Sequence, residues 1–194
     1  LKKVVLDAGH GGRDSGALGR KSKEKDITLA VALKVGEYIN QYLPDVEVIY
    51  TRDKDVFVGL DERSNIANEA GADLFISIHC NANPSSTPYG TETYVMGLHK
   101  SKDNLDVAMR ENAVITYEDD YSSKYEGYDP KSSESFIIFS LMQNHYMEQS
   151  LNLASLTQNE FKERARRHDR GVKQAGFIVL FKTSMPSVLV ELGF

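Results

Sequence analysis

A single cysteine, Cys80, in 194 residues rules out an intrachain disulfide and leaves the redox compartment open. Positive charge is also scarce. There are 23 Lys and Arg against 28 Asp and Glu, a formal net charge of −5, which is the wrong sign for the basic face that nucleic-acid binding needs. No apolar run approaches the roughly 18 residues of a membrane span. No signal peptide is read at the start, which falls directly on a strand-like run; an exported chain would have lost its targeting segment already. What remains is the composition of an ordinary globular domain, 41% hydrophobic and 26% charged.

The first 80 residues alternate between strand-like and helix-like patterns. KVVLD (3–7) is a short apolar run of the kind a buried parallel strand carries, VEVIYT (46–51) is a second and LFISIH (74–79) a third. Ile27, Ala30, Val31, Val35, Tyr38, Ile39 and Tyr42 recur at spacings of three and four, with Asp26 placed to cap that helix and Pro44 beyond its end. Leu60, Ile66, Ala67 and Ala70 mark a second helix, stopped by Gly71. TETYVM (91–96) alternates like a half-exposed fourth strand, and GFIVL (176–180) and PSVLVEL (186–192) complete six. The pattern predicts one α/β domain over 1–194, with a mainly parallel twisted sheet of about six strands flanked by helices.

The stretch from 98 to 170 departs from this pattern. It is polar, with helices expected near 102–113, 134–152 and 157–170, and residues 116–135 carry six acidic side chains against two basic ones among several tyrosines. A segment of that length inserted in a compact domain is either a solvated loop or a lid over a cleft. His99, His145 and His168 lie in or beside it and read as surface or structural histidines.

VVLDAGHGGRDSGA (4–17) raises the functional question, because a strand breaks there into glycines around His10. It is not a dinucleotide loop: G-x-G-x-x-G would need glycine where Asp14 stands, and no GK[ST] follows. Nor is it a G-x-S-x-G nucleophile elbow, since GRDSG carries its serine fourth. The glycines instead allow backbone to pack closely around whatever His10 holds. His79 ends the third strand, matching the position of His10 after the first, and ligands of open parallel sheets bind beyond the carboxyl ends of strands. Glu191 ends an otherwise apolar run, a costly place for a carboxylate without a purpose. Glu24, just before the first long helix, returns to the same edge. Two imidazoles and one glutamate with one open position are the ligand set of a catalytic zinc, which lowers the pKa of bound water to near ~7. The remaining carboxylate would serve as general base and then general acid. Cys80 points away from His79 if the strand persists, so it is assigned to the core rather than to a nucleophilic pair.

Seven stretches turn this spacing argument into a likeness. VVLDAGHGGRDSGA, KEKDITLAVA, TRDKDVFVGLDERSNIAN, SIHCNAN, GTETYV, RGVKQAGFIVL and MPSVLVELGF follow one another along nearly the whole chain. In this the chain resembles the zinc-dependent N-acetylmuramoyl-L-alanine amidases of bacterial cell-wall turnover, the type 3 amidase family. The resemblance implies Zn2+ held by His10, Glu24 and His79, with Glu191 catalytic. It implies hydrolysis of the amide joining the lactyl group of N-acetylmuramic acid to L-alanine in peptidoglycan. Zinc would polarise the carbonyl and generate hydroxide, while Glu191 carries the water's proton to the departing amine. Arg52 and Arg63 read as scaffold and Asn81 as a residue lining the cleft. By the same likeness the enzyme is periplasmic or extracellular.

Two features set the chain apart. Family members usually continue past E-L-G-F with a loop and a helix, so the C-terminus at Phe194 is expected to be truncated. The segment from about 98 to 156, including RENAVI and SLNLA, resembles the insertion of amidases used in daughter-cell separation, which covers the zinc until an activator protein binds. Residues 113–145 are expected to form such a lid, with Glu118, Glu126 or Glu134 occupying zinc's open position. Two rival readings fit less well. A metallocarboxypeptidase would place its first ligand pair as His-x-x-Glu, where residues 10–13 read His-Gly-Gly-Arg; a non-catalytic wall-binding module would have lost one of the four site residues.

Overall fold

A computed structural model describes residues 1–85, 87–125, 128–129, 132 and 145–194. One sheet runs in the order β2-β1-β3-β6-β4-β5, with β1 Lys3–Ala8, β2 Glu47–Tyr50, β3 Leu74–His79, β4 Thr91–Met96, β5 Asp169–Ala175 and β6 Ser187–Glu191. The four strands β2, β1, β3 and β6 are mutually parallel; β4 is antiparallel to β6 and parallel to β5. The expected α/β architecture with a mainly parallel six-stranded sheet is what forms. The helices are α1 (Glu24–Tyr42), α2 (Leu60–Glu69), α3 (Lys102–Asn112), α4 (Tyr121–Lys124), α5 (Met147–Glu163) and α6 (Ile178–Phe181), with a 3₁₀ turn at Ala113–Tyr117. No helix of the described residues is long and apolar enough to cross a membrane.

The central strands are buried on both faces because helices cover both sides of the sheet, and most of their residues are apolar. Val4, Leu6 and Ala8 of β1 pack with Ala32, Val35 and Ile39 of α1, and Val95, Val188 and Val190 pack with Ala154 of α5. On the opposite face Val5, Phe75, Tyr94 and Leu189 meet Leu60 and Ala67 of α2, Val107 and Ala108 of α3 and Leu180 of α6. Val114, Ile115, Tyr125 and Tyr128 join that second cluster. Tyr125 and Tyr128 of the tyrosine-rich segment therefore reach the main core, while residues 119–124 before them are exposed.

Three local expectations are corrected. GFIVL is not a strand: Ile178–Phe181 is helical, held at its start by Asn112, whose Oδ1 accepts from the Ile178 amide at 2.9 Å and whose Nδ2 donates to the Gly176 carbonyl at 2.7 Å. The fifth strand is instead DRGVKQA, polar because it lies at the sheet edge with most of its residues half-buried. The helix expected at 157–170 ends at Glu163, and the chain turns through Arg166 (φ 52°) into β5. Finally, α1 starts at Glu24 with Lys23 as N-cap and no side-chain cap, so Asp26 acts within the first turn, where an acid suits the helix dipole. The helix expected at 134–152 falls largely outside the described residues; its last residues belong to α5.

Two buried arginines fix the sheet edge that matters. Arg63, 1% exposed, donates to Asp7 Oδ1 and the Ala8 carbonyl at 2.7 Å, to the His10 carbonyl at 2.8 Å and to the Val58 carbonyl at 2.9 Å. Arg52 holds the Ala8 and Gly9 carbonyls at 2.8 and 2.9 Å and the Lys25 carbonyl at 2.8 Å. Consecutive carbonyls after β1 are thus clamped, as their reading as scaffold requires.

Candidate active site

The strand tips converge as the topology demands. His79 and Glu191 are register partners at the ends of β3 and β6, and His10 follows β1, whose Ala8 pairs with Ile78. His10 itself sits at φ 62°, a conformation uncommon outside glycine and one that marks functional turns. Gly16 (φ +62°) must be glycine: a Cβ there would lie 2.6 Å from both Glu24 Oε2 and His10 Cδ2.

Four buried side chains share one centre. His10, Glu24, His79 and Glu111 each present a donor atom, all within 4.8 Å of one another. His10 Nε2 is 3.1 Å from Glu24 Oε2 and 3.3 Å from Glu111 Oε2; His79 Nδ1 is 3.3 Å from Glu24 Oε1 and 3.1 Å from Glu111 Oε2. A second layer orients three of the four side chains. Asp14 Oδ2 is 2.7 Å from His10 Nδ1, the amides of Ala17 and Cys80 donate to the two Glu24 oxygens at 2.8 and 2.7 Å, and Arg110 Nε donates to Glu111 Oε1 at 3.0 Å.

These residues fit a divalent cation. His10 Nε2, His79 Nδ1 and Glu111 Oε2 are buried, close to one another and yet not aligned as hydrogen bonds, as donors aimed at a common centre are. Burial alone would depress both imidazoles, but the carboxylates of Asp14, Glu111 and Glu24 push His10 up to about 12, and those of Glu111 and Glu24 push His79 up to about 9. Burial likewise opposes ionisation of Glu24, which the two histidines nevertheless lower to about 2, and Glu111 falls well below the usual carboxylate range for the same reason. Two carboxylates and two imidazoles in one dry space call for positive charge, and an N2O2 donor set suits zinc.

Glu191 lies beside this group, fully buried, with neither oxygen hydrogen-bonded among the described residues. Burial, then the Glu111 and Glu24 carboxylates, raise its carboxyl well above the ordinary range against the opposing pull of His79 and Arg110.

A family model described as N-acetylmuramoyl-L-alanine amidase matches residues 4–194. The chain belongs to that family. Among curated relatives, the N-acetylmuramoyl-L-alanine amidase AmiA of Escherichia coli K12 is 35% identical over 194 residues, covering 98% of this chain and 65% of the relative, just under two thirds of its length. Among solved structures, the catalytic domain of the amidase CwlV from Bacillus (Paenibacillus) polymyxa var. colistinus is 31% identical with a TM-score of 0.61, covering 100% of this chain and 80% of that one. The amidase CwlD from Clostridioides difficile, solved in complex with the lipoprotein GerS, is 28% identical with a TM-score of 0.67 and coverage of 100% and 83%.

In this amidase-family chain the structure thus gathers His10, Glu24, His79 and Glu191, the four residues named from sequence. The candidates for the fourth position fare differently. Glu118 is turned away: it accepts from the Leu60 amide and the Tyr125 hydroxyl, each at 2.9 Å, and so caps α2, whose N-cap Gly59 has no side chain to do it. Glu126 and Glu134 lie outside the described residues. The carboxylate at the centre is Glu111 of α3, which the sequence reading missed although it quoted RENAVI. Its signal was there: buried Asn104, Val107, Ala108, Glu111 and Asn112 form one helical stripe, and Glu111 is the charged member of that stripe.

Asn81 lines a cleft of about 890 Å³, as expected, and is largely buried there. Its Nδ2 lies 3.3 Å from Glu92 Oε2 and its Oδ1 accepts from Arg110 Nη2 at 3.0 Å. Cys80 is half-buried in the wall of a cleft, not in the core, and burial pushes its thiol up to about 12. His168 stacks on Tyr89, and His99 and His145 likewise take no part in the cluster. A cleft of about 290 Å³ lined by His10, Glu24 and Glu111 and the larger one of about 890 Å³ lined by Glu24 both reach the cluster.

Proposed function

We propose that this chain is the catalytic part of a zinc hydrolase that cuts the amide between N-acetylmuramic acid and L-alanine in peptidoglycan, in the periplasm or outside the cell. His10, Glu24 and His79 would hold the Zn2+. The observation that carries the reading is the meeting of these three side chains with an unpartnered, fully buried Glu191 at one sheet edge. Membership of the amidase family supports the choice of substrate.

When bound, Zn2+ supplies Lewis acidity, polarising a carbonyl oxygen and bringing the pKa of a water to near ~7. The rest is done by this chain's own residues. Asp14 fixes the tautomer and orientation of His10 through Nδ1, and the Ala17 and Cys80 amides fix both oxygens of Glu24. Glu191, with both oxygens free, takes the proton from the attacking water and hands it to the departing alanine nitrogen, without which an amide nitrogen leaves poorly.

Glu111 supports an autoinhibited resting state. It supplies a fourth protein donor where a catalytic zinc keeps an open position. The segment that follows holds it there: the Arg13 guanidinium donates to the Tyr117 carbonyl and stacks 4.6 Å from the Phe57 ring, and Glu118 caps α2. In this reading the lid within 113–145 is latched by those contacts, and an activator protein releases it; the CwlD–GerS complex shows one amidase bound to a partner.

The test is to digest purified muropeptides with the zinc-loaded protein and with Glu191→Ala and to identify the cut bond by mass spectrometry. Release of intact stem peptides by the first and not the second is expected. Cleavage at any other bond, or equal release by both, would overturn the assignment.

A further inference from the structure

The cleft of about 890 Å³ reaches the four-residue cluster at Glu24, which lines it. Its charge is opposite to that of the chain, whose net charge is −5. Arg20 of the β1–α1 loop and Arg167 of the α5–β5 turn line it, and Glu24 is the single acidic side chain of the lining among the described residues. Both Glu24 oxygens are already engaged by backbone amides and imidazoles. The cleft is therefore effectively cationic.

Arg167 is built into position. Its Nη2 donates to the Leu192 carbonyl at 2.8 Å, directly after Glu191, and its own amide donates to the Phe161 carbonyl at 2.9 Å. Gly193, at φ +145°, has no Cβ to obstruct it; one there would fall 2.6 Å from that Nη2. The remaining guanidinium nitrogens of Arg167, and all of those of Arg20, have no hydrogen bond or ion pair among the described residues, and both side chains are exposed.

We propose that Arg167, with Arg20 lining the same cleft, forms a subsite for a carboxylate on the peptide arm that leaves when the amide is cut; this rests on the amidase reading. The departing amine belongs to alanine. Where the next residue is glutamate joined through its side-chain carboxyl, its α-carboxylate stays free, at most about 7 Å along an extended chain from the scissile nitrogen. Arg167, anchored one residue past Glu191, offers that carboxylate a planar two-pronged donor. The protein thereby selects stem peptides that keep this carboxylate over those in which it is amidated.

The test compares N-acetylmuramoyl-L-alanyl-D-isoglutamate with its isoglutamine counterpart. The zinc-loaded protein should favour the acid by about 10- to 100-fold in kcat/KM, mainly through KM, as expected for a charge-assisted hydrogen bond made or lost. Arg167→Ala should bring the ratio close to one and Arg167→Lys should keep part of it, a pattern that a merely structural arginine would not give. Calorimetry with the free peptides L-alanyl-D-isoglutamate and L-alanyl-D-isoglutamine reads the same preference without hydrolysis, and Arg20→Ala should weaken it. Equal handling of acid and amide by the native protein, or a ratio unchanged in folded Arg167→Ala, would overturn the subsite. If neither muramoyl compound is cut yet the acid peptide binds preferentially, the subsite stands and the amidase reading falls.

Discussion

Replacing Glu111 tests the resting state most directly. Its Oε2 lies 3.3 Å from His10 Nε2 and 3.1 Å from His79 Nδ1, while Oε1 takes a 3.0 Å hydrogen bond from Arg110. If that carboxylate holds the blocked state, Glu111→Ala removes one charge-assisted interaction worth about 1.5–3 kcal/mol from the blocked side of the equilibrium. Each 1.4 kcal/mol is a factor of ten in the blocked-to-open ratio, so the competent fraction, and with it the basal rate, should rise by about 10- to 100-fold. Glu111→Gln keeps the shape but loses the charge and should fall between. The assay is the initial rate of stem-peptide release from purified wall. Metal occupancy is followed by competition with a chromophoric chelator, because loss of a fourth donor should also loosen the metal. An unchanged or lower rate in a folded, metal-loaded Glu111→Ala protein would refute the blocking role and make Glu111 a standing part of the site.

Two further outcomes follow from the scaffold. Burial opposes ionisation of Asp7, but Arg63 and the hydroxyls of Ser77 and Thr51 outweigh it and hold the carboxyl below its ordinary range. A depressed carboxyl contributes stability above its unfolded pKa, near ~4, that is lost as pH falls through the folded value, so Asp7→Asn should flatten the acid limb of a pH–stability curve. The same change strands Arg63, 1% exposed, and should cost about 3–5 kcal/mol, read as a melting temperature lowered by about 6–20 °C; a shift under about 2 °C would contradict it. Glu118→Ala should cost about 0.5–2 kcal/mol through loss of the α2 cap and raise hydrogen exchange over Val114–Tyr125, while exchange in β1 and β3 stays as it was.

Much of the site was legible because a buried strand writes itself as an apolar run, and a charged or imidazole side chain at the end of such a run has few structural reasons to be there. That logic found His79 and Glu191, and the glycines around His10 found the third corner. It failed where burial is not written in a run. Glu111 lies on an amphipathic helix within a polar segment, where a glutamate normally faces solvent, and only the register of its stripe against Val107 and Ala108 turns it inward. β5 was hidden because an edge strand tolerates Asp169, Arg170 and Lys173, and GFIVL misled because four to eight apolar residues suit a buried helical turn as well as a strand.

The neighbour of Glu111 explains how such a block can be reversible. A lone carboxylate moving into or out of this dry space would change its buried charge, costing several kcal/mol. Arg110 precedes Glu111 on α3, binds its Oε1 at 3.0 Å and rests on Asn81 Oδ1 and the Ala82 carbonyl at 3.0 and 3.1 Å. In the autoinhibited reading, carboxylate and guanidinium would enter and leave together as a neutral pair. The charge of the site would then be the same blocked or open, and the two states would differ by a few hydrogen bonds and the apolar packing of Val114 and Ile115. That is a difference small enough for a binding partner to reverse.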